Sequence, residues 1–268
     1  MRVENQTLDQ ALAGRGILIT RSSDQAELTA EAVRARGATA LLLPCLEIER
    51  LDDNIRKSLP KLQHGKGSIL FTSSNGVHAV AESLGSAFSM LMQSHEIIAV
   101  GEKTGDTLRD CGIKVGLEPE DASQAGLIER FKKSGAPENL LFFRAEEGSD
   151  ALAEALTASG SRVTTIHAYR MQCPDSDASE IIQKMKRSEI DAVLLGSART
   201  VNHYIQRIDS IKTANIPAIA VISQQVAKAA EDAGLSVQAV AKTASFDAML
   251  DALADYFNNS GAENHVSS

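Results

Sequence analysis

The chain repeats itself. An apolar segment ends on an arginine at Ile17-Leu18-Ile19-Thr20-Arg21 and again at Leu140-Leu141-Phe142-Phe143-Arg144, and an alanine-rich stretch then runs to Gly37 or Gly160. Arg21 and Arg144 lie 123 positions apart, as do Gly37 and Gly160. Phe71-Thr72-Ser73 answers Leu195-Gly196-Ser197 with 124 positions between the serines, and Gly112 answers Gly234 at 122. Ser123 and Ser245, each opening a terminal helical stretch of its half, are also 122 apart. A near-constant offset across so many signals means two similar α/β halves, each of the usual size for a domain. A cleft between such halves is a favoured place for a small-molecule site.

Nearly all-apolar runs predict strands over 16–21, 40–49, 68–72, 96–100, 115–117, 139–144, 162–171, 192–195, 218–222 and 236–240. Apolar residues at three- and four-residue steps predict helices between them, over 26–36, 103–111, 127–133, 151–159, 224–233 and 248–257. Strands that are apolar throughout are covered on both faces, and alternation with helices makes their sheets parallel. Gly37, Gly112, Gly160 and Gly234 stand where a helix must stop and reverse into a strand. The runs 40–49 and 162–171 are about twice the usual strand length of ~5–6 residues. At matching places in the two copies, they read as a two-stranded linker. On that reading residues 1–40 with 173–260 form one domain and 51–162 the other. Residues 41–50 and 163–172 are the linker strands, and 261–268 a disordered tail.

A net charge of −8 argues against a general nucleic-acid or acidic-membrane surface. An anionic ligand then has to be held by local arginines, lysines and backbone amides. Cys45, Cys111 and Cys173 are far apart and show no CxxC spacing, which fits buried thiols in a reducing compartment. Residues 1–15 hold no apolar core for a signal peptide, and no run approaches the ~18 apolar residues that span a bilayer. A cytoplasmic protein is expected, with neither nucleic acid nor membrane as partner.

No GxGxxG follows a strand and no GKS or GKT occurs. Gly14-Arg15-Gly16 precedes its strand, the wrong side for a dinucleotide loop. His64, His78, His95, His167, His203 and His265 pair with no cysteine or carboxylate at ligand spacing, so no metal site is expected. Ser73 and Ser197 sit in no GxSxG elbow. What remains is a set of strand-to-helix turns rich in small polar residues. They are Thr20-Arg21-Ser22-Ser23, Thr72-Ser73-Ser74-Asn75-Gly76, Gly101-Glu102-Lys103-Thr104, Gly196-Ser197-Ala198-Arg199-Thr200 and Ser223-Gln224-Gln225. Such turns lie at the carboxyl ends of parallel strands, where open α/β sheets bind ligands, and each opens a helix whose free N–H groups favour anions. Plain N-capping explains any one of them; five in two halves point to a polyanion. The binding residues so nominated are Arg21, Ser73, Ser74, Asn75, Lys103, Thr104, Ser197, Ala198, Arg199, Ser223, Gln224 and Gln225. Arg144, which ends its strand as Arg21 does, joins them. Tyr169, near the end of a proposed linker strand, is either an amphipathic filler or a phenolic general acid.

These turns resemble the uroporphyrinogen-III synthase family over about residues 16–257. The likeness rests on Leu18-Ile19-Thr20-Arg21, on Leu43-Pro44 followed by Glu47-Ile48-Glu49, and on Phe71-Thr72-Ser73-Ser74-Asn75-Gly76-Val77. It continues through Val100-Gly101, Thr104, Leu108 and Gly112, then Leu140-Leu141, Arg144, Leu152, Leu156, Gly160, Val163 and Tyr169-Arg170. The order and spacing of these weak motifs are fairly specific together. The resemblance implies two flavodoxin-like domains on a two-stranded linker, and an enzyme that needs no cofactor or metal. It implies closure of a linear tetrapyrrole, hydroxymethylbilane, with loss of its hydroxyl and inversion of the terminal pyrrole ring through a spiro intermediate. Tyr169 matches the family's tyrosine that assists hydroxyl departure, and Thr104 and Ser197 match hydroxyls lining its cleft. A monomer is expected, with transient contact to porphobilinogen deaminase because the substrate is unstable.

Two turns depart from the pattern. Arg199 follows Ser197-Ala198 where the family carries a serine, and Arg199 offers a carboxylate clamp in its place. Ile222-Ser223-Gln224-Gln225-Val226-Ala227 stands where the family reads IGPxTA. That second departure motivates an alternative of another class, a non-catalytic paralogue binding a tetrapyrrole or other polyanion.

Overall fold

The structure is a computed structural model and describes residues 11–64 and 67–265. The chain divides into two compact units, one of residues up to Glu47 together with those from Cys173 onward, the other Ile48–Gln172.

In the first unit the described residues form a five-stranded sheet in the order β10-β9-β8-β1-β2. Its strands are β1 Gly16–Ile19, β2 Thr39–Leu42, β8 Ala192–Leu195, β9 Ala218–Val221 and β10 Val237–Val240. Every pairing is parallel. The apolar runs explain the architecture. Leu18, Val193, Leu195 and Val221 point into one core, while their neighbours Ile17, Ile19, Leu194 and Ala220 point into another. A strand buried on both faces needs an apolar residue at every position, which is what these runs supply.

The second unit repeats the plan with β3 Glu47–Arg50, β4 Ser68–Phe71, β5 Glu96–Ala99, β6 Asn139–Ala145 and β7 Arg162–Gln172, in the order β3-β7-β6-β4-β5. Ile69, Phe71, Ala99 and Phe143 face one core, and Leu70, Ile98, Leu140 and Phe142 the other. The strand order reverses between β1 and β8 in the first unit and between β4 and β6 in the second. These are the switch points at whose carboxyl ends doubly wound sheets bind ligands.

Three expectations change. The run 40–49 is not one strand: β2 stops at Leu42 and β3 starts at Glu47. Pro44 has no N–H to continue a ladder, and the intervening chain is pinned instead. Leu43 N donates to Ile19 O at 2.9 Å, and Cys45 N donates to Thr20 O at 3.0 Å. Arg207 donates to Pro44 O, and His203 Nδ1 lies 2.6 Å from Cys45 O. The run 115–117 makes only an isolated bridge between Ile98 and Leu117. The last helix, Phe246–His265, passes the stop expected at Phe257 and covers most of the proposed tail; 266–268 lie outside the described residues. Gly37, Gly112, Gly160 and Gly234 do stop their helices, each at positive φ.

Candidate functional site

In the second unit the helix Ser74–Leu84 follows β4 after two residues. Ser73 takes extended backbone there, and its Oγ accepts the Gly76 N–H at 3.1 Å. The same oxygen lies 2.9 Å from the phenol oxygen of Tyr169. Tyr169 is only 6% exposed. A β-bulge puts it there. Arg144 of β6 faces His167 of β7, but the next residue, Ala145, faces Tyr169, so Ala168 is extra. A strand alternates faces, and one extra residue reverses the alternation. Ile166 and Ala168 point into the Phe71–Phe143 core, and Tyr169 points into that core as well, instead of the opposite one.

The neighbouring turn after β5 begins at Gly101, which has φ +94°. The helix Glu102–Asp110 follows, with Thr104 buried in its first turn. Ser74 Oγ donates to Lys103 O at 3.1 Å, tying the two turns together, and Thr107 Oγ1 donates to the same carbonyl at 2.8 Å. The structure thus gathers Ser73, Ser74, Asn75, Lys103, Thr104 and Tyr169 at the carboxyl ends of β4, β5 and β7. Asn75 is half-buried, and the Lys103 side chain is exposed.

Arg144 has a different task from the one expected. It is 4% exposed, and its guanidinium donates to Ala145 O at 3.0 Å, Ser149 O at 2.8 Å and Asp150 Oδ1 at 2.8 Å, and also to Gly148 O. With four of its five N–H groups used on the loop that follows β6, it organises backbone and offers little to a ligand.

In the first unit Arg21, the repeat partner of Arg144, lies over the Phe246 ring at 4.2 Å and donates to Gln25 Oε1 at 2.7 Å. Phe246 in turn presses on Gly196, where an added Cβ would meet the ring at 2.9 Å. Ser197 caps the helix Ala198–Ile208 through Thr200 N at 3.1 Å, and its Oγ lies 2.8 Å from Thr200 Oγ1. Ala198 and Arg199 are exposed on that first turn. Ser223 caps the helix Gln224–Asp232 through Val226 N at 3.4 Å, with Gln224 and Gln225 exposed.

One cluster escaped the sequence reading. Cys45 is fully buried, and burial pushes its thiol up to about 12 although Arg207 pulls the other way. Arg207 also donates to Ser176 O at 2.7 Å, and Cys173 Sγ lies 3.9 Å from His203 O. The polar groups here are spent mostly on backbone, with Arg207 also donating to Ser176 Oγ at 2.9 Å, which marks a structural junction.

A family model described as Uroporphyrinogen-III synthase HemD matches residues 27–251. The chain belongs to the uroporphyrinogen-III synthase family. It is 28% identical over 206 residues to the uroporphyrinogen-III synthase of Synechococcus elongatus, covering 75% of this chain and 78% of that one. The fold is that of uroporphyrinogen-III synthetase from Helicobacter pylori, at a TM-score of 0.58 and 18% identity, covering 88% of this chain and 97% of that one. A mutant uroporphyrinogen III synthase from Thermus thermophilus aligns at a TM-score of 0.55 and 17% identity, covering 92% of this chain and all of that one.

Within a uroporphyrinogen-III synthase framework the altered turn at Ser223 is readable. Gly101 and Ser223 hold the same place in the two halves, 122 positions apart. Gly101 sits at positive φ, whereas Ser223 has φ −163° and uses its side chain as a cap. Val226, where the resemblance expects threonine, is buried in the core. The second turn is built without a glycine because its backbone never enters the left-handed region.

Among the described residues no helix is long and apolar enough to cross a membrane, and no three His, Cys, Asp or Glu side chains are grouped to hold a metal.

Proposed function

We propose that this chain is an active uroporphyrinogen-III synthase, a cyclising hydro-lyase. It closes hydroxymethylbilane with loss of water and inverts the terminal ring through a spiro intermediate. The observation that carries this reading is the contact between Tyr169 and Ser73. Ser73 Oγ accepts the Gly76 N–H, and its own O–H is able to donate to the Tyr169 oxygen. In that arrangement the phenol proton is free for the leaving hydroxyl of the substrate. Each donor polarises the next, and a phenol so placed serves as a general acid without needing charge of its own. Departure of the hydroxyl leaves a cation that the terminal ring attacks. Orientation decides which carbon of that ring does so, a task of positioning.

The substrate's carboxylates are met by amides and hydroxyls of the capped turns. Thr104, Lys103, Ser74 and Asn75 serve in the second unit, and Ser197, Ala198, Arg199, Ser223, Gln224, Gln225 and Arg21 in the first. Helix N-termini favour these anions by their unmade N–H groups. The enzyme works as a cytoplasmic monomer and draws its substrate from porphobilinogen deaminase by transient contact. The reading as a non-catalytic paralogue is not favoured, since both the family model and the S. elongatus relative carry the synthase name.

The test is a coupled assay. The protein is added to porphobilinogen deaminase and porphobilinogen, the products are oxidised, and the uroporphyrin isomers are separated. Isomer III is expected to dominate; isomer I alone, from folded protein, would sink the enzymatic reading.

A further inference from the structure

We propose that Glu147 is a positioning residue for Tyr169: its carboxylate makes the ladder bond that β6 no longer reaches, and so holds the phenol at Ser73. This role rests on the reading of Tyr169 as the acid of the reaction.

The bulge is the weak point of the strand. A β-bulge leaves its extra residue unpaired and disrupts the ladder locally, and here the extra residue, Ala168, comes immediately before Tyr169. Alternate residues of a strand turn their backbone groups to the same neighbour, so Tyr169 and Met171 both face β6. The first rung past the bulge is ordinary: Glu146 N donates to Tyr169 O at 2.9 Å. The next rung needs a strand carbonyl for Met171, but β6 ends at Ala145. The chain turns there into the loop that Arg144 gathers. Met171 N donates instead to Glu147 Oε1, at 2.8 Å. A side chain thus completes the ladder, and as a charged acceptor it makes the stronger kind of bond.

The other edge is held independently. Leu51 N donates to Ala168 O at 2.9 Å. Arg170 Nε and Nη2 donate to the Glu49 carboxylate at 2.7 and 3.0 Å. Loss of the Glu147 bond therefore tilts the strand after the bulge without freeing it. Tyr169 carries its phenol oxygen at the far end of a rigid ring, so a slight rotation of its backbone becomes a larger shift beside Ser73. Misplacement of that kind lowers a rate without unfolding the protein. Glu147 itself is exposed, so its truncation opens no cavity.

Four variants test this role: Glu147→Ala, Glu147→Gln, Tyr169→Phe, and Glu147→Ala combined with Tyr169→Phe. Glu147→Ala should lower kcat for isomer III about ten-fold, part of the ~10²-fold that an ångström of misplacement costs, with KM and the melting midpoint nearly unchanged. Glu147→Gln keeps an oxygen at the same reach and should restore most of the rate. In the Tyr169→Phe background Glu147→Ala should cost nothing more, because it acts only through the phenol. Equal losses in both backgrounds, a glutamine no better than alanine, or a rise in KM alone would each overturn the role. The Tyr169 ring signals, assigned by NMR through their absence from Tyr169→Phe, give a readout that needs no turnover. They should move in Glu147→Ala and return in Glu147→Gln; unmoved signals overturn the positioning whatever the activity. An unaltered protein that makes no isomer III, or a Tyr169→Phe that turns over normally, would instead sink the reading of the phenol as the acid, a failure that the ring signals keep apart from this one.

Discussion

The phenol oxygen of Tyr169 lies 2.9 Å from Ser73 Oγ, and the extra residue that β7 carries against β6 brings the two together. Tyr169→Phe keeps the ring in its core and removes only the hydroxyl, with its contact to Ser73. Turnover should fall about 10²-fold or more, the usual worth of a positioned acid, while the thermal midpoint stays within a few degrees. Ser73→Ala should lower turnover less and also cost about 1 kcal/mol of stability, because the helix loses its cap. Steady-state isomer III formation beside a melting curve separates the two effects. Unchanged turnover in Tyr169→Phe would remove the phenol from the reaction.

Arg144 should prove to be a stability residue. Arg144→Ala leaves several carbonyls of the following loop without their donor, at a cost of about 2 kcal/mol. Urea unfolding should show that loss, while KM for the substrate moves little in whatever protein remains folded. A large rise in KM with stability intact would restore the binding role that the repeat suggested.

The two turns that match across the halves should respond in opposite ways. Gly101→Ala forces a side chain onto φ +94° and should cost about 2 kcal/mol. Ser223→Gly places glycine on extended backbone and loses one cap, a change of a few tenths of a kcal/mol. Equal losses in denaturant midpoint would contradict the backbone assignment.

Cys45 should be inert. With its thiol pushed up to about 12, it stays protonated throughout neutral and mildly alkaline pH. The sign follows: folding favours the protonated form, so this contribution to stability is complete below the ordinary thiol value and fades as pH rises from there toward 12. Alkylation at pH 8 should spare Cys45 in the native protein and reach it once the chain is unfolded, as peptide mapping would show.

Much of this was written in residue types. Apolar runs such as Val193-Leu194-Leu195 can only be strands covered on both faces, and the matched glycines can only be stops, so both sheets were legible. The capped turns were legible too, since serine before a helix has few other uses. The bulge at Ala168 was not. An alanine between His167 and Tyr169 reads as ordinary alternation, and only the register against β6 shows that one residue is surplus. Arg144 was opaque for a related reason: its partners are mostly backbone carbonyls, which every residue possesses. The break at Pro44 was in plain sight, but the apolar residues around it outweighed the missing N–H.

The second unit is one uninterrupted stretch, whereas in the first β1 pairs with β8, joining Ile17 to Ala192. During synthesis the order of assembly therefore runs against the order of translation. The second unit has all its strands once Gln172 has left the ribosome, and domains fold as units as they emerge. β1 and β2 are made first, yet they wait through that whole interval for the strand that completes their core. What is born before the second unit is housed only after it.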